Sequence, residues 1–272
     1  MINSKTRLYC IMGNPVEHSL SPVMHNAAFK HCGLNSVYVA FEVDDIRGAI
    51  EGIRALHIYG ASVTIPHKTE AIRHLDEVEP MAQKIGAVNT IINQNGRLIG
   101  HNTDWVGAIR SLEEVIDIPG RHFIIIGAGG AARAIGFGIR HKGGTLTILN
   151  RSEKRGQGLA RDLECPFYPI DSIKELDAHA LIHATPVGMY PHINHTLIPK
   201  EWLKGEMVVM DVVYNPMETR LLKDAKQRGC TVISGLKMLV YQGVAQFEIW
   251  TGKQAPIKVM ERAIYETLTL LG

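Results

Sequence analysis

Short apolar runs alternate with amphipathic, helix-like segments along the first hundred residues. In chain order, the pattern predicts strand 8–12, helix 23–31, strand 37–43, helix 46–56 and strand 59–65. Strands and helices that alternate in this way build a parallel sheet covered by helices. Asn95 and Gly96 then separate two further apolar runs and predict a hairpin, so this sheet is expected to include an antiparallel pair.

The alternation resumes after a loop at residues 116–121. The predicted elements are helix 106–115, strand 123–126, a helix from about residue 131, strand 145–149, a helix to about residue 163, strand 180–184, strand 207–214, helix 221–229 and strand 231–233. Uninterrupted apolar runs such as 123–126 are typical of strands buried on both faces of a parallel sheet. Two helices follow, one from residue 235 past Trp250 and one over 256–271, and we expect them to pack back on the first half.

This order predicts an α/β fold of two domains. Residues 1–104 with 239–272 are expected to form the first, around a mixed but mainly parallel sheet. Residues 105–238 are expected to form the second, of the Rossmann type.

A glycine-rich turn follows the strand at residues 123–126. Gly127, Gly129 and Ala132 fit the G-x-G-x-x-G/A spacing, in which the backbone approaches a pyrophosphate at a helix N-terminus. Glycines alone are also typical of an ordinary loop. Here a strand precedes the turn, a helix follows it, and strand 145–149 completes the unit. The sequence therefore predicts a dinucleotide site.

The strand at 145–149 ends without the acidic residue that usually binds the ribose 2′-hydroxyl of NAD. Arg151 follows instead and can bind a 2′-phosphate in a bidentate manner, with Lys154 or Arg155 adding positive charge. The alternative is a solvated, basic start of a helix. The pattern favours NADP over NAD.

Two charged residues follow predicted strands, at the edge where open α/β sheets bind ligands. Lys68 comes just after Pro66, which ends the strand at 59–65; the alternative is a surface lysine that opens a helix. Asp104 precedes the helix at 106–115, and a helix N-cap is the alternative.

Two serines precede the helix at 23–31. Ser21, followed by a proline in the first turn, suits the N-cap position. Together with Ser19 it can also bind a small molecule rich in hydroxyl or carboxylate groups, and both interpretations remain open.

Composition excludes several classes of function. A formal net charge of +2 without a basic block does not favour nucleic-acid binding. No apolar run approaches the ~20 residues of a membrane span, and no targeting segment is evident, which favours a cytoplasmic protein. Four scattered cysteines fit reduced thiols, and His192 and His195 suit a polar loop better than a metal site. A monomer and a homodimer are both compatible with the sequence.

Taken together, these motifs resemble the shikimate dehydrogenase family. The matching segments occur in order over nearly the whole chain, at residues 13–22, 63–68, 86–90, 102–104, 127–131, 150–152, 211–216 and 235–242. Two residues depart from the family's usual pattern. Ser62 precedes Val63 and Thr64, where the family more often has Asn. Residues 183–185 read His-Ala-Thr, where the family usually reads Asn-Ala-Thr.

The resemblance implies reversible, NADPH-dependent reduction of 3-dehydroshikimate to shikimate in aromatic amino-acid biosynthesis, in a cleft between a substrate domain and an NADP domain. Lys68 and Asp104 are implied as the catalytic pair. The implied substrate-binding residues are Ser19, Ser21, Thr64, Asn89, Tyr214 and Gln242. The implied NADP-binding residues are Gly127, Ala128, Gly129, Gly130, Ala131, Asn150, Arg151, Ser152, Lys154, Arg155, Val212 and Gly235. No metal is implied.

Ketone reduction requires a hydride on carbon and a proton on oxygen. A protonated Lys68 would stabilise the developing alkoxide and donate that proton. Asp104 would favour the ammonium form and burial would oppose it, so the two are interpreted as one proton-handling unit.

Three alternatives remain. One is a quinate or dual quinate/shikimate dehydrogenase using NAD or NADP. Another is a folate-linked methylene dehydrogenase, which should not combine the serine loop with the Pro-His-Lys motif. The third is a non-catalytic NADP-binding sensor.

Overall fold

The computed structural model describes residues 2–271, and the chain divides into two compact units. Unit 1 comprises Met1–Thr103 and Val240–Gly272, and unit 2 comprises Asp104–Leu239. These boundaries lie one residue from those expected from the sequence. The roles expected for the two units stay predictions at this point.

Within the described residues, unit 1 holds a six-stranded mixed sheet. Its strands are β1 (Arg7–Gly13), β2 (Ser36–Glu42), β3 (Gly60–Val63), β4 (Glu77–Val78), β5 (Thr90–Gln94) and β6 (Arg97–His101). Its helices are α1 (Ser21–His31), α2 (Ile46–Ala55), α3 (Pro80–Ile85), α9 (Ile257–Leu271) and the part of α8 (Gly235–Thr251) from Val240 onward. The strand order is β2-β1-β3-β5-β6-β4. Strand β1 pairs in parallel with β2 and β3, whereas β5 is antiparallel to β3 and β6, so the mixed sheet is confirmed.

The hairpin between β5 and β6 forms where the sequence predicts it. Asn95 and Gly96 have φ angles of 54° and 93°, the left-handed values that a tight two-residue turn requires. The amide N–H of Gly96 also donates to Asn93 Oδ1 at 2.7 Å. The turn pairs Thr90 with His101 at the open end of the hairpin.

Helix α1 begins one residue earlier than a Ser21 N-cap would allow, so that prediction is wrong. Leu20 occupies the cap position with nearly helical dihedral angles, and Ser21 is the first helical residue. The hydroxyl of Ser19 accepts the N–H of Ser21 at 3.3 Å instead. Pro22 lies in the first turn, as predicted.

Unit 1 buries apolar side chains on both faces of its sheet. Ile50 and Ile53 of α2 pack with strand residues such as Val63 on one face. On the other face, Tyr9 contacts Phe29 of α1 and Trp250 of α8, with ring centroids 5.1 and 5.3 Å apart. Helix α9 packs against α1.

Unit 2 holds a parallel sheet of six strands among the described residues. Its strands are β7 (His122–Ile126), β8 (Thr145–Leu149), β9 (Phe167–Tyr168), β10 (Ala180–His183), β11 (Val208–Asp211) and β12 (Thr231–Ser234). Its helices are α4 (Asp104–Glu113), α5 (Gly130–His141), α6 (Glu153–Asp162), α7 (Arg220–Gln227) and the start of α8. The order β12-β11-β10-β7-β8-β9 is that of a dinucleotide-binding Rossmann sheet. Strands β8 and β9 are added on one side of β7 and strands β10 to β12 on the other, so the strand order reverses between β7 and β10. The predicted two-unit α/β fold is therefore confirmed.

Strand β7 is buried on both faces, as its sequence predicts. Phe123 and Ile125 pack into one hydrophobic cluster with helix α5, and Ile124 and Ile126 pack into a second cluster. Strand β11 covers Val208–Asp211 and is therefore shorter than the predicted strand 207–214.

No helix within residues 2–271 has the length and apolar character to cross a membrane. The same residues include no group of three or more His, Cys, Asp or Glu side chains suited to a metal ion. The four cysteines are free thiols.

Candidate functional site

Backbone hydrogen bonds fix the loop that follows β3 in unit 1. The N–H of Thr64 donates to Met12 O at 2.9 Å, and the N–H of Asn14 donates to Ile65 O at 3.0 Å. These bonds tie the loop to the end of β1. A Cβ at Gly13 would lie 2.2 Å from Thr64 Cγ2, so only a glycine allows this close approach.

Lys68 and Asn89 are held at the same edge of the sheet. The N–H of Val88 donates to Lys68 O at 2.8 Å, and the N–H of Val63 donates to Asn89 O at 2.9 Å. The structure thus brings together Thr64, Lys68 and Asn89. Ser19 and Ser21 belong to the segment that leaves this edge after β1.

The Asn89 side chain has a fixed orientation. Its Nδ2 donates to Thr103 Oγ1 at 3.0 Å, while its Oδ1 accepts the N–H of Thr103 at 2.7 Å and the hydroxyl of Thr90 at 2.8 Å. Asp104 follows Thr103 directly and is the buried first residue of α4, rather than a cap ahead of it. Its pairing with Lys68 stays a prediction.

A buried chain of uncharged polar groups continues from Asn89 and Thr90 into the core. Gln246 Nε2 donates to Thr90 Oγ1 at 3.1 Å, and Gln246 Oε1 accepts the hydroxyl of Ser62 at 3.1 Å. The Tyr38 hydroxyl donates to Ser62 Oγ at 2.6 Å. These five residues form the unit 1 network. Gln246 was not singled out in the sequence, although it lies one turn after Gln242 on the same face of α8.

His25 borders the unit 1 network and is fully buried. Its Nε2 lies 3.2 Å from Gln246 Oε1, and its ring stacks on Tyr38 with centroids 4.6 Å apart. Burial lowers the pKa of His25 to about 4, although the hydrogen bond to Gln246 acts in the opposite direction. Its Nδ1 finds no hydrogen-bond partner among residues 2–271.

In unit 2, the glycines of the predicted dinucleotide turn allow a close approach of backbone groups. Gly127 has a φ of +124°, and a Cβ there would lie 2.6 Å from Ala184 O. Gly129 and Gly130 face open space where a side chain would stand. Helix α5 begins at Gly130, so its first N–H groups face the turn and can bind an anion. Ala128 and Ala131, the other residues of the predicted turn, are half-buried.

The basic segment lies at the end of the neighbouring strand β8. The N–H of Gly127 donates to Leu149 O at 2.9 Å and so joins the two strand ends. Asn150 Nδ2 donates to Ser152 O at 2.8 Å, which orders the turn before α6. The side chains of Arg151, Lys154 and Arg155 are all exposed here.

Val212 and Tyr214 lie beyond the end of β11, although the sequence predicted a strand through residue 214. Gly235 packs directly on this segment, because a Cβ there would lie 2.3 Å from Val212 O. The N–H of Val212 donates to His183 O at 3.0 Å. Burial raises the pKa of the Tyr214 hydroxyl above its usual value.

A second buried polar network lies at the ends of β10 and β11. His183 Nδ1 is 2.9 Å from Asp211 Oδ1, and His183 Nε2 is 2.6 Å from Thr185 Oγ1. The Thr219 hydroxyl donates to Asp211 Oδ2 at 2.6 Å. These four residues form the unit 2 network. The sequence singled out His183 as a departure and Asp211 only as the start of the matching segment 211–216. The structure shows that the two residues end adjacent parallel strands in direct register.

Family models match two parts of the chain. A model described as the shikimate dehydrogenase substrate binding domain matches residues 11–91. A second, described as the shikimate 5'-dehydrogenase C-terminal domain, matches residues 235–265.

Curated relatives and solved structures match the chain along its length. A shikimate dehydrogenase (NADP+) from Methanocaldococcus jannaschii is 46% identical over 99% of this chain and 100% of its own. A shikimate dehydrogenase solved with NADP+ is 45% identical, with a TM-score of 0.95 over 98% of each chain. The Thermus thermophilus enzyme solved with NADP(H) and shikimate is 36% identical, with a TM-score of 0.90 over 96% of this chain and 99% of its own. A Corynebacterium glutamicum quinate dehydrogenase solved with NAD is 28% identical, with a TM-score of 0.90 over 96% and 99%.

Proposed function

The chain belongs to the shikimate dehydrogenase family, and we propose that it catalyses the reversible NADPH-dependent reduction of 3-dehydroshikimate to shikimate. The observation that carries this proposal is the end-to-end similarity to NADP-dependent shikimate dehydrogenases, with both Lys68 and Asp104 present in the chain. The reaction belongs to aromatic amino-acid biosynthesis, which we place in the cytoplasm.

Unit 2 suits NADP for structural reasons of its own. The cradle at Gly127, Gly129 and Gly130 offers backbone N–H groups without side chains in the way. At the end of β8, Arg151 replaces the acidic residue that would repel a 2′-phosphate. Lys154 and Arg155 add charge nearby. We assign this segment, together with Asn150 and Ser152, to the adenosine 2′-phosphate, and Val212 and Gly235 to the remainder of the cofactor.

We assign the substrate to the sheet edge in unit 1. Hydroxyl and amide groups from Ser19, Ser21, Thr64 and Asn89 suit a ring that carries several hydroxyl groups and a carboxylate. The fixed amide of Asn89 offers directional hydrogen bonds. Gln242 completes the proposed set in unit 1, and the role of Tyr214 stays a prediction from the resemblance.

We assign Lys68 and Asp104 the handling of the proton. The bound cofactor supplies the hydride, so the protein must stabilise charge on the carbonyl oxygen. An ammonium group at Lys68 stabilises the developing alkoxide and donates a proton to it. We assign the Asp104 carboxylate a share in the same proton handling.

Initial rates with four substrate and cofactor pairs test the proposal. Shikimate and quinate are each offered with NADP and with NAD. We expect the highest kcat/KM with shikimate and NADP. A higher value with quinate would replace the proposal by a quinate dehydrogenase, the activity carried by the C. glutamicum relative. Tight NADP binding without turnover of either substrate would favour a non-catalytic sensor.

A further inference from the structure

His183 and Asp211 lie where a Rossmann sheet binds its dinucleotide. They are the last residues of β10 and β11, and β10 pairs with β7 across the point where the strand order reverses. His183 is opposite Ile126, the residue before Gly127. Both side chains are at most 2% exposed. A buried ionisable pair is costly unless its groups are fully hydrogen-bonded, so its position calls for an explanation.

The hydrogen bonds define where the protons lie. Asp211 accepts from the Thr219 hydroxyl at one oxygen, and from the N–H of Val213 and His183 Nδ1 at the other. The imidazole therefore carries a proton on Nδ1. His183 Nε2 lies 2.6 Å from Thr185 Oγ1, and Thr185 Oγ1 accepts the N–H of Val187 at 3.3 Å. Three donors thus hold the Asp211 carboxyl group, and the Thr185 hydroxyl joins His183 to the loop that follows.

Thr185 links the hydrogen-bonded network to the glycine turn, because its side chain lies next to Gly127. Its Cγ2 lies 3.2 Å from the point where a Cβ of Gly127 would stand, and Ala184 O lies 2.6 Å from the same point. A different rotamer of Thr185 would move this methyl group or the loop backbone next to Gly127. The shorter of the two hydrogen bonds of its hydroxyl, the 2.6 Å bond to His183, holds this rotamer.

We propose that His183 and Asp211 are positioning residues that hold Thr185 against Gly127 and so preform the dinucleotide turn. The inference rests on the proposed function, because it assumes that NADP binds at this turn. It deepens that proposal by naming three residues that tune cofactor affinity in this chain. Preformed sites bind more tightly because less order must be gained on binding.

The test measures NADPH binding to the free protein by fluorescence titration, without substrate. His183→Asn retains a donor for Asp211, but its shorter side chain does not span the distance to Thr185. Thr185→Val removes the hydroxyl and keeps the shape, whereas Thr185→Ser retains the hydroxyl. His122→Asn is the matched control, since His122 begins β7 at the opposite end of the same sheet and also contacts threonine hydroxyls.

We expect His183→Asn and Thr185→Val each to weaken NADPH binding about tenfold, the effect of one lost buried hydrogen bond. The double variant should be no weaker than either single variant, because both remove the same contact. His122→Asn should bind NADPH as the wild type does. Thr185→Ser keeps the bond to His183 but loses the methyl group beside Gly127, so its affinity should lie between those of the wild type and Thr185→Val. In His183→Asn, kcat at saturating NADPH should change less than twofold.

NADPH affinities within twofold of the wild type in both His183→Asn and Thr185→Val would overturn the inference. Should His183→Asn fail to fold, Thr185→Val decides alone. Measurements on the wild type alone distinguish a failure of the proposed function from a failure of this inference. A wild type that binds no NADPH, or that binds it without reducing 3-dehydroshikimate, would refute that function before any variant is compared.

Discussion

Each unit buries one polar network next to its predicted binding residues, and the two networks differ in kind. The unit 1 network links Tyr38, Ser62, Gln246, Thr90 and Asn89 through hydroxyl and amide groups alone. The unit 2 network instead centres on an ionisable pair, His183 and Asp211. Both contain a residue at which this chain departs from the family's usual pattern, Ser62 in one and His183 in the other.

The difference separates two ways to hold a site in shape. Amides and hydroxyls in the unit 1 network keep their hydrogen bonds over a wide pH range, and they fix the amide of Asn89 for directional contacts. A carboxylate with three donors makes stronger bonds, which suits the unit 2 network to hold a loop against backbone. We therefore expect substitutions in unit 1 to affect the substrate step and those in unit 2 to affect the cofactor.

The largest expected effect tests the assignment of proton donation to Lys68 of unit 1. Lys68→Ala should lower kcat by about a thousandfold, the usual scale for loss of a general acid, while the KM for shikimate changes little. The NADPH dissociation constant should stay as in the wild type. Lys30→Ala, at an exposed lysine of α1, is the control and should retain full activity. A large rise in KM with unchanged kcat would make Lys68 a substrate anchor and not the proton donor.

The next prediction concerns the stability of the unit 1 network. Gln246→Leu leaves Ser62, Thr90 and His25 without their shared partner, so the free energy of unfolding should fall by about 3 to 4 kcal/mol. Gln157→Leu replaces an exposed glutamine on α6 and should change it by less than about 0.5 kcal/mol. Urea unfolding measures both variants. Equal losses would show that Gln246 has no special role in the core.

His25 predicts a pH dependence of stability in unit 1. Its folded-state pKa is lowered to about 4, so below about pH 6.5 the unfolded chain takes up a proton that the folded chain does not. Stability is therefore complete above that pH and falls as the pH drops towards 4, by about 3 kcal/mol in total. In His25→Phe this contribution should disappear. Parallel unfolding curves of wild type and variant between pH 7 and 4.5 would contradict the assignment.

Local patterns in the sequence predict much of this fold. The hairpin at Asn95 and Gly96 and the buried strand β7 follow from turn chemistry and from the run of apolar residues. The prediction that Ser21 caps helix α1 was wrong because the local sequence also allows another arrangement. Leu20 has nearly helical dihedral angles, and the Ser19 hydroxyl accepts the N–H of Ser21.

The networks could not be predicted in the same way. Ser62 and Gln246 are 184 residues apart in sequence, so only the tertiary fold brings them together. The early end of β11 has a local cause instead. Asp211 accepts the N–H of Val213 with its own carboxylate, which replaces a ladder bond that the apolar pattern had implied.

The smallest expected effect concerns Arg151 in unit 2 and tests whether it sets the preference for NADP over NAD. Arg151→Ala should raise the dissociation constant of NADP about tenfold, or ~1.4 kcal/mol, because a charge-assisted bond to the 2′-phosphate is lost at an exposed site. Binding of NAD, which lacks that phosphate, should not change. Arg161→Ala, at the last turn of α6, is the matched control for removal of one positive charge. Equal weakening of NADP and NAD by Arg151→Ala would mean that this arginine supports the turn itself, and the preference for NADP would then need another source.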